Sequence, residues 1–155
     1  MNWCPGENGR IDLREGKVER PPWLIVADGE LQQAEVPGPG NNPRIVEYFK
    51  ATTYHATADA VPWCSAFLNW VMAKAGVKGS GSAAAISWLH WGLDLGEHPR
   101  LGCVVVFEHH VSLYVGPDPQ FDNHIRCEGG NQSDRVKVSS YPLEDVLSYR
   151  WPKEA

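Results

Sequence analysis

The stretch VPWCSAFLNWVMAKAG, residues 61–76, decides the fold. Cys64, Phe67, Leu68, Val71, Met72 and Ala75 recur at i, i+3, i+4, i+7, i+8 and i+11, one face of an α-helix. Gly76 supplies the stop, because glycine takes the backbone conformation that commonly closes a helix. Pro62 stands just ahead of the first turn, so Cys64 falls on the buried side at the helix N-terminus. Three readings of Cys64 are open at this point. It can be a small hydrophobe filling a core, half of a disulfide, or a nucleophile whose thiol the helix N-terminus acidifies.

Downstream of this helix the period changes. GSGSAAAISWLHWG (79–92) reads as a glycine-serine loop leading into a short helix. LGCVVVFE (101–108), HVSLYVG (110–116), HIRCEGG (124–130) and RVKVSSY (135–141) are short runs rich in β-branched and aromatic residues, and each reads as a strand. PLEDVLSYRWP (142–152) reads as a helical turn and a last strand. Upstream, PPWLIVADGELQQAEV (21–36) carries an apolar helical patch that ends in the turn-rich PGPGNNP (37–43). PRIVEYFKATT (43–53) reads as a helix with Pro43 in its first turn, followed by a loop over 54–61. Helices first and strands after them predict an α+β domain with an antiparallel sheet. Residues 1–20 are polar and aperiodic and read as a loosely ordered arm; residues 21–155 form the single expected domain.

Composition narrows the function classes. Hydrophobic residues make up 43% and charged residues 21% of the 155, the balance of an ordinary soluble globular domain. The formal net charge is -5 and no Lys/Arg cluster occurs, which argues against a nucleic-acid partner. No run of 18 apolar residues predicts a membrane span. The N-terminus lacks a basic stretch followed by an apolar core, so the expectation is synthesis in the cytoplasm without a secretory signal peptide. Four cysteines, Cys4, Cys64, Cys103 and Cys127, show no CxxC spacing, which argues against a structural zinc site. Without a secretory signal, a disulfide framework is not expected either. A monomer is expected, since nothing in the pattern calls for an obligate oligomer.

A cysteine attacks as the thiolate, so Cys64 needs a base. None is close in sequence, and the base must come from the sheet. His110 opens the strand HVSLYVG and can supply it, since both groups then sit on rigid elements. The imidazole needs an orienter on the neighbouring strand. EGGNQ, residues 128–132, lies where that strand is expected. Asn131 can accept the ring N–H through its amide oxygen, and Glu128 competes for the same role.

Taken in order, PWCSAFLNWV, the glycine ahead of VVVF, HHVSLYVG, EGGNQSDRVKVSSYP and YRWP resemble the NlpC-like and CHAP (cysteine, histidine-dependent amidohydrolase/peptidase) family. PPWLIVADGEL and PGPGNNPRIVEYF look like the lead-in helices of one bacterial and phage branch of that group, so the resemblance spans residues 21 to 152. It implies a papain-like fold and hydrolysis of an amide bond in peptidoglycan, with no metal or organic cofactor. On that resemblance Cys64 matches the nucleophile, His110 the histidine of the HV motif, and Asn131 the polar third residue. Two features depart from it. Cys103 stands where many relatives carry an aspartate, and the histidine is doubled as His109-His110. Strand alternation lets only one of that pair face Cys64.

The remaining candidates have plain alternatives. His109 reads as a solvent-facing residue, and Cys103 and Cys127 as strand core, with a bridge between them only if their strands are adjacent. Trp70 reads as core. Trp63 is either core or a groove wall that stacks on sugar or peptide, and with Glu128 it is assigned to substrate binding; Glu128 also reads as a strand-end charge. The implied partner is peptidoglycan. A lysin released through a phage-made pore and a toxin injected into a rival both fit a chain with no signal peptide, and the toxin would need a cognate immunity protein. Two other classes compete: a deamidating or acyl-transfer enzyme acting on protein, and a non-catalytic wall-binding module.

Overall fold

The computed structural model describes residues 11–12, 17–37, 40–54 and 62–153. Cys4 and most of the loop expected at 54–61 lie outside the described residues. Within the N-terminal arm a two-residue strand β1 (Ile11–Asp12) pairs antiparallel with β2 (Lys17–Val18), where the sequence pattern predicts no regular structure.

Three helices follow. α1 (Pro22–Asp28) starts on a proline, whose fixed φ suits a first helical turn. It stops at Gly29, so the apolar patch expected over 21–36 is helical only in its first half. α2 (Pro43–Tyr48) is capped by Asn42, whose side-chain oxygen accepts from the Arg44 N–H, and runs into a 3₁₀ turn at Phe49–Ala51. α3 (Cys64–Lys74) is the predicted cysteine helix, and Gly76 follows it with φ +76°.

Every residue from Cys64 to Met72 is buried, on all sides of α3 rather than along one stripe. The cause is its central position: α1, α2 and the 3₁₀ turn cover one side, and the sheet strands Val111–Pro117 and His124–Gly129 cover another. A helix packed all round must satisfy its polar side chains internally. Ser65 Oγ donates to Ser82 O at 2.6 Å and accepts from Trp88 Nε1 at 2.8 Å. Asn69 Nδ2 donates to Ser82 O at 3.0 Å, and its oxygen accepts from the Gly81 N–H at 2.8 Å. The glycine-serine loop is thus pinned along α3 before the 3₁₀ turn Ala85–His90. On the other flank Tyr48 packs its ring 5.1 Å from Phe67 and 5.1 Å from Trp70. Removing each such ring from water contributes roughly 2–3 kcal/mol.

The strands are β3 (Leu93–Asp94), β4 (Val104–Val106), β5 (Val111–Pro117), β6 (His124–Gly129), β7 (Lys137–Pro142) and β8 (Ser148–Trp151). They form one six-stranded sheet in the order β3-β8-β4-β5-β6-β7, with every neighbouring pair antiparallel. The chain is therefore an α+β domain built on an antiparallel sheet. The four strands expected over 101–141 are all present, as β4 to β7, and the tail forms a 3₁₀ turn (Leu143–Asp145) followed by β8.

Candidate active site

Cys64 is the first residue of α3 and is 6% exposed. Trp63 precedes it as a cap that offers no side-chain hydrogen bond, so the first backbone N–H groups of the helix are left for other partners. Burial pushes the Cys64 thiol above its ordinary range, while the backbone N–H groups of Val111, Ser65 and Cys64 itself pull it down. The Val111 contact places the sulfur against the first residue of β5, one position beyond His110.

His110 sits at the mouth of the β4–β5 hairpin, where its carbonyl accepts from the Phe107 N–H at 2.8 Å. The imidazole lies among aromatic rings, with centroids 5.9 Å from Phe107 and 5.4 Å from Tyr141. Burial lowers its basicity, and the bond to Gln132 partly restores it. His109, by contrast, is a turn residue with a 90% exposed side chain beside Glu108. Of the histidine pair, His110 is the one turned inward.

The group that holds the imidazole is Gln132. Its Oε1 is 3.0 Å from His110 Nε2 and accepts from Ser112 Oγ at 2.7 Å. Its Nε2 donates to the carbonyls of Cys127 at 3.1 Å and Lys137 at 2.7 Å. These two carbonyls fix which end of the amide is oxygen, because a flipped amide would face oxygen against oxygen. The ring nitrogen facing Gln132 is then the N–H, and Nδ1 carries the lone pair. Nδ1 has no hydrogen-bond partner among the described residues. Tyr141 Oη lies 3.2 Å from Nε2 and adds a second oxygen on the same side of the ring.

Gln132, not Asn131, is the residue bonded to the ring. Asn131, Ser133 and Asp134 all have positive φ, at 57°, 55° and 60°, and this left-handed run turns the side chain between them inward. Two glycines give the loop room. A Cβ on Gly129 would run into Ser112 Oγ, and one on Gly130 would sit 2.6 Å from Trp63 Cζ3. A signal was present in the sequence: Asn tolerates left-handed backbone, which marks Asn131 as the turn former and its neighbour as the inward residue.

Neither residue assigned to substrate binding lines the site. Trp63 is fully buried, and its indole N–H donates to Glu35 Oε2 at 2.9 Å, so it is a core residue. Glu128 is 2% exposed and faces Asp28 and Arg20 on the helix layer. Neither an orienting role on His110 nor an exposed strand-end position fits it. Cys103 and Cys127 are both fully buried free thiols. Tyr114 separates them: its N–H donates to Cys103 O on one side, and it pairs with Cys127 on the other. Two strand spacings put their Cα atoms about 9–10 Å apart, beyond the reach of a disulfide.

Compared with protein-family models and with curated proteins, the sequence finds no match.

The arrangement has the parts of a thiol acyl-transfer centre. It offers a sulfur at a helix N-terminus, an imidazole with a free lone pair on the adjoining strand, and a neutral amide that fixes the tautomer. Both titratable groups are biased by burial toward their uncharged forms, thiol and neutral imidazole.

Proposed function

We propose that the protein is a papain-like cysteine hydrolase of peptidoglycan that cleaves an amide bond of the stem peptide. The observation that carries this reading is the Cys64–His110–Gln132 arrangement, with the sulfur against the Val111 N–H and the imidazole fixed by a fully bonded amide. The resemblance of residues 21 to 152 to NlpC-like and CHAP hydrolases supplies the substrate class. Asn131, assigned the third role by that resemblance, gives way to Gln132 in this proposal.

His110 Nδ1 takes the Cys64 proton as the sulfur adds to the peptide carbonyl carbon. The resulting oxyanion accepts from backbone N–H groups at the start of α3, with that of Cys64 the first choice. Collapse breaks the C–N bond, and the amine leaves with the proton from His110. His110 then takes a proton from water, the hydroxide adds to the thioester carbonyl, and the thiolate departs and is reprotonated. The products are a free amine, a carboxylate and the original thiol.

Mass spectrometry of purified peptidoglycan after digestion tests this directly. New stem-peptide fragments, or unsubstituted glycan strands, are expected with the wild type and absent with a folded Cys64→Ala variant. Fragments identify an endopeptidase, and bare strands identify an amidase between muramic acid and L-alanine. No release by a folded wild type would overturn the reading and favour a protein substrate.

A further inference from the structure

The segment expected to continue the first helix instead forms a strap across the Gln132 loop. Gln32 N–H donates to Val136 O at 2.9 Å, Val136 N–H to Gln33 O at 2.8 Å, and Glu35 N–H to Asp134 O at 2.9 Å. Ala34 pairs with Arg135 as an isolated antiparallel bridge. Within the loop, Gln132 N–H donates to Arg135 O at 2.9 Å. Gln132 is therefore tied through Arg135 to a stretch, 134–136, whose backbone the strap holds. Asn42 ties the strap at its far end, donating to Ala34 O at 2.8 Å.

One side chain on this strap reaches the nucleophile's side. Glu35 Oε2 accepts from Trp63 Nε1 at 2.9 Å, and Trp63 is the residue bonded to Cys64. The same indole packs against Gly130, two residues before Gln132, so closely that a Cβ there would collide. Trp63 is fully buried and is itself the cap of α3. Glu35 thus joins two pieces of chain far apart in sequence: the cap that sets the Cys64 backbone and the left-handed loop that sets Gln132. A charged acceptor on a largely buried N–H is among the stronger single hydrogen bonds available. Misplacement of reacting groups by about 1 Å can cost on the order of a hundredfold in rate.

We propose that Glu35 is a positioning residue that holds the Cys64 cap and the Gln132 loop in register, so that the sulfur meets the lone pair of His110. The inference rests on the Cys64–His110 reading of the site but not on the identity of the substrate.

Alkylation of Cys64 by iodoacetamide, followed on the Cys64 peptide by mass and as a function of pH, separates the two. It needs no wall material, so it reports on the thiol even if peptidoglycan is not the substrate. Glu35→Ala is expected to slow alkylation on the order of tenfold at neutral pH and to shift its pH profile upward. Glu35→Gln keeps the acceptor and is expected to restore most of the rate. Trp63→Phe removes the same bond from the other end and is expected to act like Glu35→Ala, which keeps the test usable if one variant fails to fold. Because Glu35 is tied to the Gln132 loop as well as to the Cys64 cap, Glu35→Ala is expected to slow alkylation less in a Gln132→Ala background than in the wild type. Folded Glu35→Ala or Trp63→Phe proteins with the wild-type profile would overturn the proposal. So would effects of Glu35→Ala and Gln132→Ala that simply multiply.

Discussion

Glu128 and Gln132 lie four residues apart, at the end of β6 and in the loop after it, and are almost equally hidden at 2% and 3% exposure. Their partners differ completely. Both ends of the Gln132 amide are used, each making two hydrogen bonds. Glu128 Oε2 is buried with no partner, and its Oε1 is 4.0 Å from an Arg20 guanidinium already committed to Asp28 at 3.0 and 2.8 Å. A neutral amide can be fully paired inside a protein at any pH. A carboxyl in the same setting keeps its proton instead, and burial, with the nearby Asp28, pushes Glu128 up to about 8. Burial of a polar side chain thus says little about chemistry; the completeness of its bonds separates a residue built to orient from one that is tolerated.

Gln132→Ala sharpens that contrast most. It removes the acceptor that holds the imidazole and frees the ring to take the wrong tautomer. Amide cleavage is expected to fall on the order of 10- to 100-fold, mainly in kcat, with the fold unchanged by circular dichroism. The ¹⁵N shifts of His110 are expected to move from an Nε2–H tautomer toward a mixture. Wild-type kcat with a mobile ring would break the idea that a saturated amide marks the site. Asn131→Ala, at a residue that only bends the loop, is expected to lose stability rather than to change the tautomer.

The second effect concerns charge. Burial lifts the Cys64 thiol and lowers His110, so the resting pair is neutral. Iodoacetamide should therefore alkylate Cys64 slowly at neutral pH, with the rate rising through a midpoint above the ordinary thiol value of about 8.5. A plateau already reached near pH 6 would mean a resting thiolate–imidazolium pair and would break this account.

How much of this could be read in advance depends on which period governs each segment. The helix at Cys64 announces itself by a long apolar run closed by Gly76, although the core on all sides of it buries more than the expected stripe, and β4 to β7 announce themselves by β-branched runs. The inward position of His110 is legible because it heads such a run. Gln132 was missed by one position because Asn131, Ser133 and Asp134 follow no repeating pattern; their left-handed backbone inverts the alternation that a strand would impose. The strap at 32–35 was equally hidden, since its pairing with 134–136 joins segments about a hundred residues apart and leaves no local trace. Trp63 and Glu128 looked like groove residues because composition cannot say which side of a sheet or helix meets solvent.

The smallest expected effect lies at Glu128 itself, and it is on stability rather than on chemistry. Glu128 binds its proton more tightly in the folded chain, at about 8, than in the unfolded chain, where an ordinary glutamate titrates near 4.3. The folded state then holds the extra proton across that window, and its stability falls as pH rises through it. Glu128→Gln stays uncharged at every pH, as the protonated carboxyl is, and keeps its shape beside Asp28. The variant should match the wild type near pH 4 and exceed it at pH 8.5 by on the order of 1–3 kcal/mol, a rise of several degrees in Tm. Its amide-cleaving rate should be unchanged, because Glu128 faces Arg20 and Asp28 rather than His110. Parallel Tm-against-pH curves for the two proteins would show that the buried carboxyl titrates normally. A loss of activity in Glu128→Gln would instead return Glu128 to the site and erase the distinction from Gln132.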